Sequence, residues 1–157
     1  MSIEKVRQYF TRFGRENDVM AFEVSSATVE LAAAAIGVDG ARIAKTLSFY
    51  SGNGCILVVT AGDMRIDNAK FKQQFGMKAK MLSGGDVERL TGYVPGGVCP
   101  FDNPPGVQKY LDVSLKRFDT IYPACGSGNS GIALDCDELY EYAQADGWID
   151  VCKLPQV

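Results

Sequence analysis

Ser51-Gly52-Asn53-Gly54 separates two runs of strand-forming residues, 42–50 and 55–61, and leaves the chain little choice between them. Asn-Gly is the pair that most readily takes the positive φ angles of a two-residue hairpin turn, so the two runs pair antiparallel. The second run, Cys55-Ile56-Leu57-Val58-Val59-Thr60, is apolar on both faces and belongs near the centre of a sheet with helices covering at least one side. In the first run a period of two puts Ile43, Lys45, Leu47 and Phe49 on one face and Arg42, Ala44, Thr46 and Ser48 on the other. A lysine thus sits among apolar neighbours. Its ammonium must pair with an acid, snorkel to water, or face a cleft that receives an anion.

The elements around this hairpin follow from helix caps and periodicity. Ile3, Val6, Phe10 and Phe13 mark one face of a first helix that stops at Gly14, and residues 19–24 read as a short strand. Ser25, Ser26 and Thr28 offer caps for an alanine-rich helix through Ile36, closed by Gly37. Asp67 caps a helix carrying Phe71 and Phe75 and ending at Gly76; residues 79–81 read as a strand and residues 83–90 as a helix. After the Asp102-Asn103-Pro104-Pro105-Gly106 loop, residues 107–113 and 118–124 read as strands. Asp135 and Glu138 have capping-box spacing, Leu139 and Tyr142 face inward, Gly147 is the expected stop, and residues 148–152 close the chain as a strand. The expected fold is a single α/β (α+β) domain over residues 1–157 with a mixed, largely antiparallel sheet flanked by helices.

Composition narrows the chemistry. A chain of 157 residues that is 46% apolar and 22% charged has enough material for one ordinary core. It lacks an eighteen-residue apolar run and an N-terminal apolar segment, so the expectation is a cytoplasmic protein with no membrane partner. Five scattered cysteines without a C-x-x-C pair argue against a disulfide framework or a zinc site, and no metal or cofactor is expected. There is no histidine, which excludes Ser-His-Asp and Cys-His nucleophilic machinery and histidine as a general base. The net charge of −3 provides no global pull on nucleic acid, yet Arg65, Lys70, Lys72, Lys78 and Lys80 cluster locally and read either as a solvated helix face or as a contact for a phosphate backbone.

Gly92-Tyr93-Val94-Pro95-Gly96-Gly97-Val98-Cys99-Pro100-Phe101 is the second chemically suggestive stretch. Pro95 and Gly96 fit the central positions of a type II turn, and the backbone N–H groups of Gly96 and Gly97, free of side chains, are candidates to approach a substrate carbonyl as an oxyanion hole. Cys99, without a histidine partner, reads as a packing residue rather than a nucleophile. Gly126-Ser127-Gly128-Asn129-Ser130-Gly131 satisfies G-x-G-x-x-G, but the strand-like Ile132-Ala133-Leu134 after it removes the frame a dinucleotide site needs.

Taken together, Thr28-Val29-Glu30-Leu31-Ala32-Ala33, Ile43-Ala44-Lys45-Thr46-Leu47, the run from Leu90 to Phe101, Tyr110-Leu111-Asp112 and the 126–131 loop resemble the YbaK and prolyl-tRNA synthetase-associated editing domains. The resemblance implies a freestanding aminoacyl-tRNA deacylase that clears a small wrong amino acid, such as alanine, cysteine, serine or threonine, from mischarged tRNA, in the first place proline tRNA, with prolyl-tRNA synthetase as a possible partner. It implies a catalytic role for Lys45, Gly96 and Gly97. It places Thr46, Gly92, Pro95, Val98 and Phe101 at the substrate, with Asp112, Gly126, Ser127 and Asn129 beside them. Several members carry a histidine on the later glycine loop, and this chain does not. The expected mechanism is attack by water, with Lys45 on an anionic or polarised group, the Gly96 and Gly97 N–H groups on the oxyanion, and the proton passing to a substrate group or, second, to Asp112. The rival is a module that binds an aminoacyl or nucleotide end without turnover; a nucleotide-dependent oxidoreductase stands third.

Overall fold

The computed structural model describes residues 2–155. Helix α1 (Ser2–Phe10) runs into a 3-10 turn and ends at Gly14, whose φ of 69° makes the left-handed stop. Helix α2 (Val29–Ile36) begins at Thr28, whose hydroxyl accepts from the Leu31 N–H, and ends at Gly37 with φ 85°. Helix α3 (Asn68–Phe75) is capped by the Asp67 carboxylate, α4 (Gly84–Thr91) follows Ser83, and α5 (Cys136–Ala143) starts in a complete Asp135/Glu138 capping box.

Nine strands complete the fold among the described residues. Strands β2 (Ile43–Ser51) and β3 (Gly54–Ala61) form the expected hairpin, with Lys45 opposite Thr60 and Ser48 opposite Leu57. Three further strands join them in parallel: β5 (Gln108–Asp112) beside β3, β8 (Gly147–Ile149) beside β5, and β6 (Tyr122–Pro123) on the free edge of β2. Two antiparallel pairs stand apart, β1 (Met20–Ala21) with β7 (Ser130–Gly131) and β4 (Arg65–Ile66) with β9 (Cys152–Lys153). The five-stranded sheet is therefore mixed but not largely antiparallel as expected: only the hairpin join is antiparallel and the other three are parallel, because β5, β8 and β6 each return to it through a crossover rather than a tight turn.

Both faces of the sheet are covered. On one, Phe10 of α1 packs edge-on against Phe101 at 4.8 Å and against Tyr142 of α5 at 5.6 Å. On the other, Phe71 of α3 lies 4.8 Å from Phe49. No helix among the described residues is long and apolar enough to cross a membrane.

Several expected strands are shorter than their apolar patterns. Residues 19–24 yield only β1, residues 118–124 only β6 and a bridge from Ile121 to Leu134, and residues 79–81 a bridge from Met81 to Phe49. Residues 148–152 split between β8 and β9 because the Val151 N–H is taken by the Asp112 carboxylate instead of a neighbouring strand. Gly147 is not the stop of the last helix. Gln144, with φ 54°, makes that turn, and Gly147 opens β8.

Candidate active site

The free edge of β2 is interrupted. β6 pairs with it at Ile43 and Ala44, and Met81 bridges it at Phe49, so residues 45–48 have no strand partner on that side among the described residues. A cavity of about 330 Å³ lies along this gap, within the ~300–1,000 Å³ typical of small-molecule sites. α2 contributes Val29 and Ala32 to its walls, β2 contributes Lys45, Thr46 and Ser48, and the loop after α4 contributes Pro95, Gly96 and Val98.

Lys45 is half-buried and donates from its ammonium to the carbonyl of Met64, just beyond β3. No carboxylate lies within 4.0 Å of the ammonium among the described residues, so it is not locked in an ion pair. Burial pushes its pKa below the usual lysine value, against the pull of the Asp63 and Glu30 carboxylates. The outcome is a partly desolvated cation on a cavity wall, with N–H donors left over from the single carbonyl it serves.

The Pro95-Gly96 turn forms as expected, with Gly96 at φ 90°, but it consumes one of the two expected oxyanion donors. The Gly97 N–H closes the turn onto the Val94 carbonyl at 3.0 Å and faces no substrate. The Gly96 N–H donates to nothing among the described residues. Gly97 is needed for a different reason: a Cβ there would lie 2.8 Å from the Gly126 carbonyl carbon, so only glycine lets the two loops touch.

The 126–131 loop is a brace and not a nucleotide cradle. Gly128 accepts from the Ser26 N–H at 2.6 Å, Asn129 exchanges hydrogen bonds with the Phe22 backbone at 2.7 and 3.1 Å, and the Ser127 hydroxyl is held by the Asn129 side chain at 2.8 Å. Of this loop, Ser130 lines the cavity; Gly126, Ser127 and Asn129 do not.

Three other expected substrate contacts are structural. Gly92, at φ 86°, is the left-handed cap of α4. Phe101 is fully buried beside Phe10, and its carbonyl accepts from the Tyr93 hydroxyl. Asp112 is 1% exposed and its carboxylate accepts from the Ser114 and Val151 N–H groups, each at 2.9 Å, so it caps its own turn, ties it to the segment at Val151, and does not line the cavity. The expectation of a base at Asp112 is therefore corrected. Thr46, Pro95, Gly96 and Val98 do line the cavity.

The residues of the basic run have different settings. Lys70 pairs with Asp150 at 3.1 Å and with the Cys152 carbonyl, Arg65 lies in β4, and the Lys80 ammonium sits 5.5 Å from the Tyr50 ring centroid. Arg65, Lys72, Lys78 and Lys80 are exposed, and Lys80 adjoins Met81 on the cavity wall. Cys99 is fully buried, and desolvation pushes its thiol up to about 12, which suits packing and disfavours a thiolate nucleophile.

The sequence reading missed Met64, whose role is a backbone carbonyl and leaves no side-chain signal, and Ser26, Tyr122 and Ser130, which reach the cavity only through long-range pairing.

Known proteins share this chain's sequence and fold. The chain is 56% identical over 154 residues to the uncharacterized protein YwhH of Bacillus subtilis (strain 168), covering 98% of both. It is 28% identical over 109 residues to a protein of Enterococcus faecalis (strain ATCC 700802 / V583) named "Putative Cys-tRNA(Pro)/Cys-tRNA(Cys) deacylase EbsC", covering 68% of this chain and 66% of that one. Among solved structures, one described as "a putative trans-editing enzyme for prolyl tRNA synthetase" superposes with a TM-score of 0.87 at 25% identity, covering 97% of both chains. The hypothetical protein APE2540 superposes with a TM-score of 0.82 at 29% identity, covering 95% of this chain and 99% of that one. Residues 23–142 match the family model of the aminoacyl-tRNA editing domain, and the chain belongs to that family.

Proposed function

We propose that the protein is a freestanding deacylase that hydrolyses the ester between a small wrong amino acid and the 3′ end of a tRNA, in the first place proline tRNA. The observation that carries this reading is the Lys45 ammonium, unpaired with any carboxylate, on the wall of a cavity that also holds the Gly96 turn. The deacylase and trans-editing names borne by its relatives support the reaction class, and the latter also supports prolyl-tRNA synthetase as a partner.

Water attacks the ester carbonyl carbon, and the electron pair of the C=O bond moves to oxygen. The Gly96 N–H donates to that oxyanion, a contact worth ~3 kcal/mol in comparable sites. Lys45 holds the terminal phosphate or the polarised ester through its remaining donors. No carboxylate lines the cavity among the described residues and the chain has no histidine, so the water's proton passes to a substrate group, the neighbouring ribose hydroxyl or the amino acid's own side chain. The substrate group relays that proton to the ribose oxygen of the ester as the tetrahedral species collapses, so the products are the free amino acid and the tRNA hydroxyl.

The same lack of a side-chain base favours one rival, a module that binds the aminoacyl end without turnover. A panel of tRNAs charged with alanine, cysteine, serine or threonine separates the two. Release of free amino acid above the spontaneous rate supports the deacylase, and stoichiometric protection of the ester without turnover marks the binder.

A further inference from the structure

The open stretch of β2 edge beside the cavity is chemically unfinished. β2 runs against β3 without a bulge from Ala44 to Ser51, so its backbone polar groups point toward β3 and away from it at alternate residues. Two contacts fix which residues point away. The Tyr50 N–H donates to the Lys80 carbonyl at 2.9 Å, and the Ser48 carbonyl accepts from the Leu82 N–H at 3.1 Å. By the same alternation the N–H and C=O of Thr46 face the free edge, together with the Ser48 N–H. None of these three groups has a hydrogen-bond partner among the described residues.

Thr46 is partly exposed although its hydroxyl is buried, so the surface it offers is backbone or methyl. Proteins usually pair or cover an open strand edge. Here the edge is a wall of the cavity instead, in the company of the apolar Val29, Ala32 and Val98. A backbone donor and acceptor in such surroundings are completed by a ligand that brings one of each, as an added strand does.

An aminoacyl ester is one residue of polypeptide backbone, with a donor at its α-nitrogen and an acceptor at its carbonyl. We propose that Thr46 pairs with it as with one residue of an antiparallel strand, the Thr46 N–H donating to the ester carbonyl and the Thr46 C=O accepting from the α-amino group. The inference deepens the deacylase reading and rests on it. In this pairing the ester end lies toward Lys45 and the α-nitrogen toward Leu47. The parallel arrangement, which uses the Thr46 C=O and the Ser48 N–H, turns the ester away from Lys45. The Thr46 N–H then joins that of Gly96 on the oxyanion, in place of the Gly97 N–H that closes the turn. Recognition of this kind reads the backbone that all amino acids share: it requires the α-amino donor and is indifferent to the side chain.

The test has a ligand arm and a protein arm. Non-hydrolysable adenosines carrying alanyl or seryl groups in 3′-amide linkage are compared in affinity with their deaminated counterparts, propionyl and 3-hydroxypropionyl. The aminoacyl forms bind about tenfold or more tightly, as expected for a hydrogen bond from a charged donor. Thr46→Pro removes the N–H without breaking the ladder to β3, because that N–H faces the other way. Single-turnover hydrolysis of the alanyl and seryl tRNA esters by this variant falls about a hundredfold, with Tm within a few degrees of the parent protein. Equal affinities for the aminoacyl and deaminated forms, or a folded Thr46→Pro that keeps the parent rate, overturns the inference; if the variant does not fold, the affinity ratio decides alone. Ester hydrolysis by the parent protein without preference for the α-amino group removes this inference alone. Binding that requires the α-amino group without hydrolysis of any ester keeps it and removes the deacylase reading.

Discussion

Lys45 on β2 and Lys109 on β5 occupy the same sheet and solve the same problem in the same way. Each gives its ammonium to one backbone carbonyl, Met64 for Lys45 and Ala143 at the end of α5 for Lys109. Neither has a carboxylate within 4.0 Å among the described residues, and burial lowers the pKa of both. They differ in what lies beyond the nitrogen. Lys109 is 8% exposed and lines no wall of the cavity, whereas Lys45 is half-buried and does. A perturbed lysine is thus not by itself a sign of a site; the unpaired stretch of β2 edge beside Lys45 is what gives its charge access to a ligand.

If the contrast holds, truncating the interior lysine harms the fold and little else. Lys109→Ala leaves a void and orphans the Ala143 carbonyl, for a loss of about 3 kcal/mol and ~6–12 °C in Tm. Thermal unfolding reads this directly, and an unchanged Tm would mean the two lysines are not distinguished by burial.

Gly97→Ala attacks the opening while leaving both lysines in place. The new Cβ would meet the Gly126 and Ser127 backbone at 2.8 Å, so the two loops must part, at a cost of about 2 kcal/mol and with at least ~tenfold slower deacylation. Retained rate and stability would show that the loop contact does not shape the cavity.

Titration separates the lysines more finely. Both have folded pKa values below 10.5, so between those values and 10.5 the unfolded chain binds more protons and stability rises with pH. On the proposed mechanism only Lys45 also governs the rate, through its cationic form. Single-turnover deacylation, corrected for spontaneous hydrolysis, falls on an alkaline limb below pH 10.5, and Lys45→Arg moves that limb upward. An alkaline limb identical in Lys45→Arg would assign it to another group.

Thr46→Val carries the smallest effect and the opposite sign. Removing a buried hydroxyl with no partner stabilises the free protein by about 1 kcal/mol, a rise of ~2–4 °C in Tm. A fall in Tm would mean the hydroxyl has a partner in solution.

Elements governed by local chemistry were legible in the sequence. The hairpin, the Thr28, Asp67 and Asp135 caps and the Pro95-Gly96 turn each depend on a few adjacent residues and form where expected, although the hairpin turns on Gly52-Asn53, with Gly52 at φ 57° and Gly54 already paired with Ser51, rather than on Asn53-Gly54. Features set by distant partners were not. Asp112 has the composition of a base, yet the Val151 N–H, thirty-nine residues away, makes it a brace. Gln144 takes a left-handed turn that glycine usually occupies, and the parallel join of β5 to β3 leaves no trace in either strand's pattern. Lys45 stood out by its place in an alternating strand, but its carbonyl partner at Met64 and the gap that exposes it exist only once β6 and Met81 have docked on β2.

The central claim is that the ammonium of Lys45 acts on an ester in the cavity beside Gly96. Single-turnover hydrolysis of mischarged proline tRNA by Lys45→Ala, run beside its thermal unfolding curve, tests this most directly. The account predicts a rate ~10²–10³-fold lower with Tm within a few degrees of the parent protein. Full turnover by that variant would remove Lys45 from the chemistry, and a lost rate accompanied by a collapsed Tm would make it a second Lys109.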